Sequence, residues 1–274
     1  MEDSKAKTTL QALNIAGFLG TILVNFLANA LPVAGRTTGE VSDLYPSLFT
    51  PAGYTFAIWG VIYILLALFV IYQARDIHKL KKNPVVEKVG IWFFISTLAN
   101  MAWIFAWHYL LVGLSLVLMI IILISLVVIY LRLDIGRADV TKPELYLVHL
   151  PFSVYLGWIS VATIANVSAF LIDTGWNRWG LSEATWTVIM IIAGTLIALN
   201  ALRSRGDVFY TLVFIWAFIG IFVRRATVDV SPHPAVLLFL VAAVLFIGYA
   251  TGLKIKNMLG FQPKESRGES RGRT

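Results

Sequence analysis

A chain of 274 residues in which 58% of side chains are hydrophobic and only 14% charged falls well short of the roughly one-quarter charged residues of soluble domains, which excludes an ordinary water-soluble fold. Its net charge of +7 is spread between apolar runs and along the tail rather than gathered in a patch with interleaved aromatics, so it implies no nucleic-acid partner. With no cysteine, disulfides, thiolate metal sites and thiol catalysis are excluded by count.

The apolar runs are blocks of about 20 residues rather than ten-residue alternations, so they read as membrane-spanning helices and not as barrel strands. The first runs from about Thr9 to Pro32 and lacks a small-residue cleavage site at its end, which marks a membrane helix rather than a removed signal peptide. The polar stretch 33–50 follows, long for a bundle connection and readable as a lid or as a plain tether. Further spans are predicted at 52–74, 88–109, 111–132, 146–172, 184–203, 208–224 and 234–255. The run 208–224 is the shortest and the least secure crossing. In the last run, Gly248 and Gly252 form a small-xxx-small pair, read as packing within the chain. Residues 262–274 are polar, basic and repetitive, which predicts a disordered cytoplasmic tail able to touch membrane lipid.

The fold class is therefore all-α, a polytopic membrane helix bundle of about eight transmembrane helices. With eight crossings, one side holds 18 of the 22 Lys and Arg, and the other only Arg36, Arg178, Arg224 and Arg225. The positive-inside rule then places both termini in the cytoplasm of a multi-pass cell-membrane protein, with 33–50 outside.

No Asp, Glu, Lys or Arg falls near the middle of a span, which argues against a carboxylate proton relay and a retinal Schiff base. His108 and His149 belong to opposite ends of their spans, too far apart to share a haem iron. What the interior holds is aromatic and uncharged polar residues at helical spacing: Trp59 and Tyr63; Asn100, Trp103 and Trp107; Tyr155, Trp158, Ala162 and Asn166. Three such faces make a pocket for a flat apolar ligand, with stacking area from the rings and orientation from amides and hydroxyls. No Ser/His/Asp set or paired carboxylate accompanies them, so binding rather than an enzyme activity is expected, with no metal and no required cofactor.

These residues carry a resemblance. Pro151, Tyr155, Trp158, Ser160, Ala162, Thr163 and Asn166 look like the final helix of the translocator protein or tryptophan-rich sensory protein (TspO/MBR) family, and Asn100 to Trp103 is similar to its Asn-x-x-Trp. The segment Phe49 to Phe56, continuing to Trp59 and Tyr63, resembles the family's second helix, with Ala52 in place of a second Pro, Tyr54 where Trp is usual and Trp59 one residue early. The resemblance covers about residues 9–173. It implies a five-helix membrane domain, 1–173, often a homodimer, whose first loop covers a pocket for porphyrin, haem or sterol-like ligands, with Tyr54 joining the residues above as ligand contacts. Residues 174–261 are then a three-helix membrane extension. The implied function is a receptor, sensor or transporter for a flat hydrophobic ligand such as a tetrapyrrole; the alternatives are a tetrapyrrole-modifying membrane enzyme and a structural, partner-binding membrane protein.

Overall fold

The computed structural model describes residues 2–31, 33–77, 83–228 and 233–260, and all its regular elements are helical. The expected disordered tail lies outside the described residues. In chain order the helices are α1 (Glu2–Ala30), α2 (Thr38–Asp43), α3 (Ile58–Ala74), α4 (Pro84–Val89), α5 (Trp92–His108), α6 (Val112–Arg132), α7 (Lys142–Glu144), α8 (Leu150–Asp173), α9 (Glu183–Arg205), α10 (Val208–Thr227) and α11 (Pro234–Gly260). A 3-10 turn, Gly53–Ala57, leads into α3, and a π turn, Leu145–His149, joins α7 to α8 just before Pro151. A proline has no N–H for the ladder, and the wider turn absorbs its ring.

Seven of these helical stretches are long and apolar enough to cross a membrane: Lys5–Ala30, Gly53–Ala74, Val112–Arg132, Lys142–Asp173, Glu183–Arg205, Val208–Thr227 and Pro234–Met258. The expected crossing at 88–109 is the weak one. Gly90 takes φ 56° and separates α4 from α5, leaving α5 with 17 residues, the lower limit for spanning. Asn83 caps α4, its side-chain oxygen accepting from the N–H groups of Val85 and Val86. Ten of the 17 residues of α5 are buried, between α1 and α6, so the protein rather than lipid covers most of this short helix.

The least secure crossing in the sequence proves well embedded. α10 has 20 residues, nine of them buried, because it packs against α8, α9 and α11. Its modest hydropathy suits a helix that faces protein instead of lipid. Close approach is made at glycines: a Cβ on Gly157 of α8 would lie 3.0 Å from Val213 of α10, and one on Gly194 of α9 would lie 3.1 Å from Phe218. At the other end, Asp207 caps α10 by accepting from the Tyr210 N–H (3.1 Å), and it also accepts from the Tyr130 hydroxyl (2.9 Å) and the Ser153 hydroxyl (2.6 Å). One buried carboxylate thus joins α6, α8 and α10. Gly248 and Gly252 correct the expectation of internal packing, since a Cβ on either would meet nothing within 4 Å.

α8 is the central helix, with 13 of its 24 residues buried and with α3, α6 and α10 around it. Residues 151–159 are buried without a break, as a helix enclosed on all sides requires. Below the level of Trp158, Phe69, Phe93 and Phe152 meet edge to face with centroids 4.8 to 5.8 Å apart and fill the space between α3, α5 and α8.

Candidate functional site

Above that plug the same three helices part, and a narrow, mostly apolar cavity opens between them. Trp59, Trp103, Trp107, Trp158, Ala162 and Asn166 line it, together with Phe56 and Met119. Six of the ten residues expected to contact ligand therefore share this one wall. The register of Trp59, one position early against the family pattern, still turns it inward, and its ring stands edge-on to Trp158 at 6.3 Å.

Each ring is held by a neighbour. Trp103 stacks on Trp107 (5.8 Å, 15°) and its indole N–H donates to Asn166 Oδ1 at 3.2 Å. Asn166 donates in turn to the Ser115 hydroxyl at 3.0 Å, which fixes the amide's orientation from α6. Trp158 differs: it is 2% exposed, and its indole N–H has no partner. Leaving such a donor dry costs roughly 1–3 kcal/mol, so it is a place where a ligand acceptor would be favoured.

The other four expected contacts lie elsewhere. Tyr63 stacks on Trp59 (5.6 Å, 24°) and lines an adjoining outer chamber of about 510 Å³, with its buried hydroxyl unpartnered. Asn100 and Tyr155 stand behind the wall. The Asn100 Oδ1 accepts from Asn25 of α1 at 2.8 Å, and Tyr155 sits edge-on to Trp59 at 6.0 Å. Tyr54 is the correction. It is 46% exposed and packs edge-on against Trp216 of α10 at 5.7 Å, because the 3-10 turn at Gly53–Ala57 carries Phe56, and not Tyr54, toward the cavity. Sequence spacing missed Tyr45, Phe56 and Met119, which stand outside the aromatic faces of the spans, and the outer chamber's Asn25 and Asn29.

The cavity has a roof made by the first loop. Thr37 closes a capping box with Glu40 and so starts α2. The Trp107 indole donates to the Thr38 carbonyl at 3.1 Å, and Tyr45 leans on the Trp107 ring at 5.9 Å; burial, helped by the charge of Asp173, pushes the Tyr45 phenol up from its ordinary pKa. The far half of the roof is bound by α9 and α10. Leu48 N–H donates to Glu183 at 2.9 Å, Arg224 reaches Asp43 (2.5 Å) and the Pro51 carbonyl (3.3 Å), and Ala52 N–H donates to the Gly220 carbonyl at 3.0 Å. None of α9 to α11 lines the inner cavity or the outer chamber. α9 and α10 hold the roof instead, and α11 packs behind them. The expected outcome of Arg224→Ala is a ligand dissociation rate raised by no more than about fivefold, the scale of a partly exposed ion pair, with equilibrium stability little changed. Stopped-flow release of a fluorescent ligand measures it, and an unchanged rate would show that Asp43 and Pro51 do not need this anchor.

No curated protein and no solved structure matches the chain. A family model described as TSPO-like protein matches residues 11–252, which takes in α9, α10 and most of α11 as well as the helices around the cavity. The match extends past residue 173, so the three C-terminal helices lie inside it rather than beyond it, and the chain belongs to the TSPO-like protein family.

Proposed function

We propose that this membrane protein is a receptor, sensor or transporter that binds a flat hydrophobic ligand, a porphyrin or a sterol, in the inner cavity under the α2 roof. The observation that carries the reading is the Trp158 indole N–H, buried without a partner in a wall rich in aromatic rings. A planar ligand would gain stacking area from Trp59, Trp103 and Trp158 and supply the missing acceptor. The lining has hydroxyls and one amide but no nucleophile beside a base, which favours holding the ligand over converting it.

Titration of protoporphyrin, haem and a sterol into the purified protein, followed by tryptophan quenching and by the shift in unfolding temperature, tests it. Saturable binding of at least one with a stabilising shift is expected, since a ligand bound only by the native state must stabilise it. Absence of both signals for all three would remove the reading.

The proposed orientation puts both termini in the cytoplasm, with the roof outside. A C-terminal tag should then be inaccessible to an impermeant reagent in intact cells and accessible after permeabilisation. Labelling in intact cells would overturn the orientation.

A further inference from the structure

The outer chamber shares Thr38, Phe56, Trp59 and Trp103 with the inner cavity, so a ligand stacked in the one can place its polar end in the other. Its polar wall is one-sided. Asn25 commits its amide hydrogens to the Thr21 carbonyl (2.9 Å) and to Asn100 Oδ1 (2.8 Å), so toward the chamber it can offer its oxygen only as an acceptor, while the unpartnered Asn100 amide nitrogen lies behind it and does not line the chamber. Asn29 likewise donates back to the Asn25 carbonyl at 2.9 Å. Glu40 completes that side with a carboxylate, and the Asp43 carboxylate, which also lines it, is paired with Arg224. The Thr37 backbone N–H and hydroxyl donate to Glu40 and hold its carboxyl below the usual range, so it stays an anion. Arg36 and Arg224 do not line the chamber, and Arg224 is already engaged by Asp43. The Thr38 and Tyr63 hydroxyls can donate or accept. The rings of Trp59, Tyr63 and Trp103 line the same chamber.

Resting on the proposed function, we infer that the outer chamber selects the polar end of the ligand, and that the end it takes is an ammonium: an amphiphile with a flat apolar body and an amine, not a carboxylate. An ammonium presents only donors to a wall of acceptors and is attracted to the aromatic faces. A carboxylate would bring acceptors to acceptors beside Glu40.

Three derivatives of one macrocycle test this: protoporphyrin, its dimethyl ester, and its bis-amide ending in dimethylamino groups. In the full-length protein the ammonium derivative should bind about tenfold more tightly than the ester, and the diacid more weakly than the ester. Glu40→Gln, which keeps a capping-box residue at that position, should shrink the preference, and raising the salt should shrink it further. Equal affinity for ammonium and ester, or tightest binding of the diacid, overturns the selection while leaving the apolar site standing. Binding of none of the three overturns both.

Discussion

Trp158→Ala is expected to weaken binding of a porphyrin or sterol-like ligand by about 2–4 kcal/mol while the helical fold persists. The upper end is set by the roughly 3–5 kcal/mol that removal of a buried aromatic costs, reduced because a ligand can shift into the space. Two effects are combined in that change and can be separated. Trp158→Phe keeps most of the ring surface but removes the indole N–H, so its loss should be near the roughly 1 kcal/mol net value of one hydrogen bond. Trp103→Ala should resemble Trp158→Ala, with an added structural penalty because Asn166 loses its donor. Trp179 is 75% exposed in the α8–α9 loop with Trp176, and alanine at either should leave affinity unchanged. Equal losses for all four tryptophans, with folding intact, would place the ligand elsewhere.

Gly220→Ala is the second large effect, and it acts through the roof. A Cβ there would overlap the Thr55 hydroxyl, which is buried and has no hydrogen-bond partner, and would crowd its methyl group at 2.8 Å. The neighbouring Ala52 N–H to Gly220 carbonyl bond prevents the strand of loop from simply sliding away. Overpacking of this kind costs about 1–3 kcal/mol. Thermal unfolding in detergent should show the loss, and Thr55→Ala in the same chain should recover most of it by removing the atoms in conflict. A double variant no more stable than Gly220→Ala alone would mean that the contact is not what limits the site.

The membrane architecture is legible in the residues because lipid leaves few alternatives: a run of apolar side chains must be helical, and the basic loops mark its ends. The inward faces of α3, α5 and α8 follow equally from spacing, since positions three and four apart lie on one side of a helix. Failures occur where local backbone departs from that ladder. The 3-10 turn before α3 turns Tyr54 onto Trp216, and Gly90 divides what reads as one uninterrupted span. α10 is hard to judge for another reason, as a short, moderately apolar run cannot announce that protein will surround it. The inner face of α1 carries its own signal: Lys7, Gln11, Asn14, Thr21 and Asn25 recur at intervals of three, four or seven, and all are buried. That stripe leads to the outer chamber, whose Asn25 and Asn29 stand one turn apart.

The fastening of α10 at both ends has a mechanical consequence. Asp207 pins one end to Tyr130 and Ser153, while Gly220 and Arg224 grip the roof at the other, and a 20-residue helix is about 30 Å of stiff rod. The roof is therefore a cantilever and not a free flap, clamped where it runs into Pro51 and Ala52. Its lighter edge is the opposite one, where Ala34 and Gly35 hold positive φ and where the Thr38 carbonyl accepts from the Trp107 indole. A ligand arriving from outside would meet the least resistance there, between α1 and α2, which is where the acceptor wall of the outer chamber stands.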